Sequence, residues 1–231
     1  MNTDTTSHTR GFFITATDTG VGKTFVGTQL VRALTARGIA VAVRKPAESG
    51  CEEIEGELLP ADAQALWDAA AQREPLSTVC PLRFRHALSP ARAAALEGHE
   101  LTLDMLARAA KRDAGSAWLH VEGAGGICSP MASDGLNADL AQGLGLPLVL
   151  VVPDRLGGIN QALMGEAALR DRGLELAAIV LNTVQADQDP AMDNRAELVQ
   201  YTDVPVFRMG HGERADATRL AEYLMGYRSG E

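Results

Sequence analysis

The stretch Thr19-Gly20-Val21-Gly22-Lys23-Thr24 concentrates the residue types from which a phosphate site is built. It follows the apolar run Phe12-Phe13-Ile14 and precedes a segment of helical periodicity. A glycine loop in that position turns successive backbone N–H groups inward, and the helix start adds partial positive charge. Lys23 is then placed to reach the outer phosphates of a nucleotide, and the Thr24 hydroxyl to ligate Mg²⁺. The strict pattern G-x-x-x-x-G-K-[ST] requires Gly at position 17, where this chain has Thr17. Three further charged groups fall where open α/β sheets gather ligands, at or just beyond the carboxyl ends of strands. Lys45 follows an apolar run at 39–43. Glu122 ends another and runs into Gly123-Ala124-Gly125-Gly126. Asp62 opens a helix after an acidic, loop-like stretch at 51–60. Lys45 reads equally as a solvated surface lysine, and Asp62 as a first-turn acid stabilised by the helix dipole.

These residues need rigid elements to position them. Val26, Leu30, Ala33 and Leu34 fall at i, i+4, i+7 and i+8, one stripe of a helix that stops at Gly38. Buried parallel strands are expected over 39–43, 117–121, 146–152, 176–181 and 204–208. Helices are expected over 62–71, 103–112, 136–144, 161–172, 193–201 and 215–226. Ser89-Pro90 is a helix start with Ser as N-cap. Strands alternating with helices imply an α/β fold, a doubly wound, mostly parallel sheet with helices on both faces. Residues 1–10 read as a disordered polar tail and 11–231 as a single domain. Gly157-Gly158-Ile159-Asn160 is a strand-to-helix turn whose amides either bind a carboxylate or serve only as a turn. Asn182, at a strand end, is a turn residue or a reader of a purine edge. His120 shares a strand face with Glu122 and reads as a core histidine.

The 231 residues carry a net charge of −9 with no basic block, which argues against nucleic acid or an anionic membrane as partner. Three well-separated cysteines without a C-x-x-C pair read as free thiols of a reducing compartment. The polar residues 1–10 are not a signal peptide, and the longest apolar run, 144–153, is too short to span a bilayer. A cytoplasmic location is expected, and the histidine spacing predicts no structural zinc.

Taken in order, the motifs resemble those of the dethiobiotin synthase family of P-loop ATPases, over nearly the whole chain. The family loop G-T-D-T-x-V-G-K-T is one residue longer than the strict pattern, and here it appears as Ala16 to Thr24. Thr17 is therefore a family trait, and the departure moves to Ala16, which stands where the family has Gly. The family's K-P-x-x-S-G is Lys45 to Gly50, its V-E-G-A-G-G is Val121 to Gly126, and its L-G-x-I-N is Leu156 to Asn160. Asp62 matches the Asp after the acidic loop.

The resemblance implies a P-loop NTPase-like fold and ATP-dependent closure of 7,8-diaminononanoate with CO₂ to dethiobiotin, with ATP and Mg²⁺ as cofactors. It implies that Thr19, Gly20, Val21, Gly22, Lys23, Thr24, Phe25, Asp62, Glu122 and Asn182 bind ATP. Thr24, Asp62 and Glu122 would hold the metal, and Lys45 and Lys23 would be catalytic. Ser49, Ser89, Pro90 and Gly157, Gly158, Ile159 and Asn160 would bind substrate, the last four across a homodimer interface. The competing readings are a related amine- or amide-activating synthase and a non-catalytic nucleotide-binding switch protein. The partitioning type of switch carries an extra lysine early in the loop, which positions 16–19 lack.

Overall fold

A computed structural model describes residues 10–184, 189–210 and 214–227. Most of the expected tail and the loop around His211 lie outside these residues. In chain order the elements are β1 (Gly11–Ala16), α1 (Lys23–Thr35), β2 (Val41–Arg44), β3 (Ala47–Ser49), β4 (Glu52–Ile54) and β5 (Glu57–Leu59). They continue with α2 (Ala61–Ala69), α3 (Leu76–Val79), β6 (Leu82–Phe84), α4 (Pro90–Leu96), α5 (Leu103–Lys111) and β7 (Trp118–Glu122). Next come β8 (Pro130–Ala132), β9 (Gly135–Leu136), α6 (Asn137–Leu144), β10 (Leu148–Pro153) and α7 (Gly158–Arg170). The last are β11 (Leu176–Asn182), α8 (Asn194–Leu198), β12 (Val206–Met209) and α9 (Arg214–Gly226).

Six strands form one parallel sheet in the order β12-β11-β10-β1-β7-β2. The chain leaves central β1, builds outward to β2, returns to β7 between them, and then adds β10, β11 and β12 on the other side. All carboxyl ends therefore share one edge, with the loop after β1 at its middle.

Alternate residues of each strand face opposite layers, as the pleat requires. Phe12, Ile14 and Ala16 pack with Val26, Leu30 and Leu34 of α1, with Leu66 of α2 and with Leu220 and Leu224 of α9. Phe13, Leu119 and Leu148 face the other way, onto Leu106 of α5 and Leu140 of α6. Leu150, Val152 and Ile179 complete that layer against Ala162 of α7 and Leu198 of α8. Each fully buried Leu, Ile or Val adds about 1.5–3 kcal/mol of transfer free energy, so a long-stemmed aliphatic core stands in for the scarce aromatics.

The acidic stretch 51–60 is not a loop. Glu52–Ile54 and Glu57–Leu59 pair antiparallel around Glu55 (φ 53°) and Gly56 (φ 85°). Two consecutive positive φ values are the signature of the two-residue turn that suits strand twist. Ser89 does precede α4, with Pro90 at its first position, but its side chain makes no capping hydrogen bond.

Candidate active site

The loop after β1 bends because Gly20 (φ 72°) and Gly22 (φ 89°) adopt left-handed backbone. A Cβ on Gly22 would lie 2.1 Å from the Asn182 amide nitrogen, so strain and contact both demand glycine there. That amide donates to the Val21 carbonyl at 2.9 Å, fastening the loop to the end of β11, while the buried Asn182 Oδ1 has no partner. Ala16 is the last residue of β1, paired with Val151, and Thr17 N still donates to Val151 O at 3.1 Å. The backbone at Ala16 is thus extended, and its methyl carries no left-handed strain.

Beside the loop lies a cleft of about 310 Å³ lined by Thr19, Gly20, Gly22, Lys23, Thr24, Lys45, Glu48, Ser49, Asp62, Ala124 and Gly125. Strand ends β1, β2 and β7 and the start of α2 meet here. Lys45 Nζ donates to Glu122 Oε1 at 2.7 Å, to Asp62 Oδ2 at 3.0 Å and to the Gly123 carbonyl at 3.2 Å. Thr24 Oγ1 donates to the same Glu122 oxygen at 2.8 Å. Glu122 Oε2 is buried without a partner. The sequence marks Asp62 as a candidate but carries no such mark for Glu48, whose carboxylate accepts from the backbone of Asp62 and Ala63 at 2.9 Å each. Its signal was indirect: α2 begins after Pro60, which has no side chain able to cap it.

The charges respond to one another. Burial acts most strongly on Lys45 and opposes its charge, but Glu122 and Asp62 outweigh it and raise the ammonium's pKa well above the usual value. Lys23 is lowered, first by burial and then by repulsion from Lys45. Burial pushes Asp62 up, yet Lys45, the Thr24 hydroxyl and Lys23 together bring it below the ordinary carboxyl range. Two neighbouring cations, one destabilised, make a site that gains from a polyanion. The ammonium of Lys45 stands among a threonine hydroxyl and two carboxylates as a built-in cation. That hard-oxygen donor set, with one Glu122 oxygen unpartnered, suits Mg²⁺.

Phe25 sits in the first turn of α1 with its ring packed toward the core. Ser49 lines the cleft and donates to the Leu88 carbonyl at 2.6 Å, next to half-buried Ser89 and buried Pro90, which do not line it. A second cavity of about 150 Å³ continues from Asp18–Val21 to Pro153, Asp154, Arg155 and Val184. Its buried Asp154 is bonded by Arg208 at 2.7 Å and Asn194 at 2.9 Å.

The turn at 157–160 does not line that cleft. Gly157 (φ 87°) starts α7, so residues 158–160 form its first turn rather than preceding it. Asn160 is exposed, and Leu156 beside it is 87% exposed. His120 is a buried side chain whose Nε2 lacks a partner, and burial drops its pKa to about 3.

A family model described as AAA domain matches residues 10–211. The chain is 44% identical over 195 residues to a protein of Anaeromyxobacter dehalogenans (strain 2CP-1 / ATCC BAA-258), covering 84% of this chain and 86% of that one. It is 39% identical over 204 residues to one of Ruthia magnifica, covering 87% and 92%. Both relatives are named ATP-dependent dethiobiotin synthetase BioD. The chain belongs to the dethiobiotin synthetase family. Among solved structures, the MinD cell division protein of Aquifex aeolicus superposes with a TM-score of 0.56 at 14% identity, over 95% of this chain and 98% of that one. At that identity the likeness speaks for the fold, the doubly wound parallel sheet.

Proposed function

We propose that this chain is an ATP- and Mg²⁺-dependent dethiobiotin synthetase that closes the ureido ring of dethiobiotin in biotin synthesis. The observation that carries the reading is the convergence of Lys23, Lys45, Thr24, Asp62 and Glu122 on one cleft, in a chain of this family. CO₂ adds to one amine of 7,8-diaminononanoate, giving a carbamate. A carbamate oxygen attacks the γ-phosphorus, forming a C–O–P bond and releasing ADP. The second amine attacks the carbamoyl carbon, closes the ring and releases phosphate.

The residues divide this work. Backbone amides from Thr19 to Phe25 receive the phosphates, and Lys23 neutralises the outer ones. Asn182 Oδ1, free and buried, accepts from the base. Thr24, Asp62 and Glu122 would hold Mg²⁺. When bound, the metal would supply positive charge to the nucleotide's phosphates. Lys45 exchanges its bond to Asp62 for the carbamate oxygen and holds it in line with the γ-phosphate, which is catalysis by position. Ser49, with Ser89 and Pro90 behind it, lines the approach of the diamine.

The substrate's far carboxylate is read by the Ile159 amide and by Asn160 of a second copy, while Gly158, whose own amide donates to the Arg155 carbonyl at 2.8 Å, shapes the turn. This shared-site homodimer is supported by the position of the turn outside the lining of its own cleft, and by exposed Leu156 and Met164 (87% and 65%) flanking it. Residues 11–231 act as one domain. No described helix is long and apolar enough to cross a membrane, in keeping with a cytoplasmic enzyme that uses small-molecule substrates.

The test supplies purified protein with MgATP, labelled bicarbonate and 7,8-diaminononanoate. Label in an acid-stable ring product is expected. No label there would overturn the reading, and ATP turnover that rises only with DNA or a protein partner would favour a switch ATPase.

A further inference from the structure

We propose that Glu48 is a positioning residue that tethers the start of α2, and with it Asp62, to the strand carrying the substrate-side residues. The inference rests on the metal-site reading above. Glu48 is buried, 6% exposed, and lies three residues beyond Lys45. One carboxylate oxygen accepts from Asp62 N and the other from Ala63 N, both at 2.9 Å. These are first-turn amides of α2, which have no partner within the helix. A helix ordinarily satisfies them with the side chain of its own N-cap, but here that residue is Pro60, which offers none.

A cap delivered from 14 residues away does more than a local one. It sets a carboxylate at the positive end of the helix, where burial opposes its charge and Lys45 and the two amides favour it, and it fixes α2 relative to β3. The Asp62 side chain is 47% exposed, so packing alone does not hold it. Its backbone nitrogen is held instead, and from there Asp62 Oδ2 meets Lys45 Nζ at 3.0 Å. The next residue on β3, Ser49, lines the cleft. Glu48 therefore sets the spacing between the metal-side carboxylate and the substrate-side strand. A displacement of about 1 Å in such a constellation costs on the order of 10²-fold in rate.

The experiment measures ATP affinity by calorimetry in the full chain, once with Mg²⁺ and once with EDTA. The ratio of the two is the gain in affinity due to the metal. Glu48→Gln keeps the side chain's size but loses the charge and one acceptor. It is expected to reduce the metal-dependent gain about tenfold while leaving metal-free ATP affinity within about twofold, a split that general loosening of the fold does not produce. Glu48→Gln/Pro60→Ser gives α2 a local cap. It is expected to recover the melting temperature but not the metal-dependent gain, and it keeps the test available if the single variant folds poorly. An unchanged gain in Glu48→Gln, or its recovery by Pro60→Ser, would overturn the tether. Asp62→Asn separates the two ideas. If the wild type shows no metal-dependent gain, or Asp62→Asn keeps all of it, the metal site itself is wrong. If Asp62→Asn loses it and Glu48→Gln does not, only the tether is.

Discussion

Two regions on the carboxyl edge of the sheet contrast sharply. The cleft between β1, β2 and β7 is closed around its own charges: Lys45 donates three hydrogen bonds, Thr24 donates to Glu122, and Glu48 accepts from the Asp62 backbone. The turn at the start of α7 is open. The Asn160 side chain donates to the Met164 sulfur at 3.5 Å, and Leu156 projects into solvent. The first region is preorganised within one chain, as phosphoryl transfer demands of groups that stabilise charge. The second exposes the apolar side chains of Leu156 and Met164 to solvent. The groups suited to phosphate and metal are therefore assembled within one chain, whereas the turn, on our reading, meets the substrate's far end only in a second copy.

The sharpest break of this contrast is Lys45→Ala. It removes the cation that faces both carboxylates and, on our reading, the carbamate. Ring formation should fall by at least about 10²–10³-fold, with ATP affinity largely kept. Glu122 would be left buried and unpaired in the nucleotide-free protein, a loss on the order of 3–5 kcal/mol in stability. Product assay and thermal melting check both. Retained activity would refute the role assigned to Lys45.

Beneath the cluster, His120 tests how dry the region is. Its pKa is about 3 in the fold against 6.5 when unfolded. The unfolded chain therefore binds the extra proton first, and stability from this group is lost as pH falls from about 6.5 toward 3. The slope is about 1.4 kcal/mol per pH unit in that window. His120→Leu should flatten the acid limb of the stability curve relative to wild type. Identical limbs would mean that His120 is solvated.

An atom added to α1 at Gly27 would crowd the same spot. A Cβ at Gly27 would come 3.0 Å from His120 Nε2 and 3.2 Å from Glu122 Oε2. Gly27→Ala should cost roughly 1–3 kcal/mol by overpacking and weaken MgATP binding by displacing Glu122. Unfolding curves and calorimetry decide this. A silent substitution would show that the cluster yields more readily than its hydrogen bonds suggest.

The two regions also differ in how far they could be read from the chain alone. The strands and α1 were legible because buried parallel strands are short apolar runs and α1 carries a helical stripe. Lys23, Lys45 and Glu122 were legible because they sit at ends of those runs. Glu48 was not, because its partners are backbone amides 14 and 15 residues away and only the fold brings them near. Nor was the hairpin 52–59, whose exposed residues show no alternation for a core to select. Glu55 in left-handed backbone is paid for by pairing that no local pattern announces. For Ala16 the chain left two conformations open, and the register with Val151 decides between them.

On the open side, Asn160→Ala should raise the KM for the diamine several-fold and leave that for ATP nearly unchanged, since one hydrogen bond contributes about 0.5–1.5 kcal/mol net. Its effect should appear only in the dimer, so dilution that dissociates the wild type should reproduce it. Equal changes in both KM values, or a monomer with full activity, would make the turn purely structural and end the shared-site idea.

The smallest effect is expected at Ala16→Gly, which restores the family's residue inside the loop motif. If the position needed left-handed backbone, glycine would relieve strain and both stability and ATP affinity would rise. Ala16 instead ends β1 in extended backbone, buried and paired to Val151. Glycine there only adds freedom to the unfolded chain and removes a packed methyl, a loss of roughly 0.5–1 kcal/mol, with KM for ATP unchanged. The bend that cradles phosphate starts later, at Gly20 and Gly22, so a gain in ATP affinity from Ala16→Gly would place its origin earlier and enlarge the preorganised region by one turn.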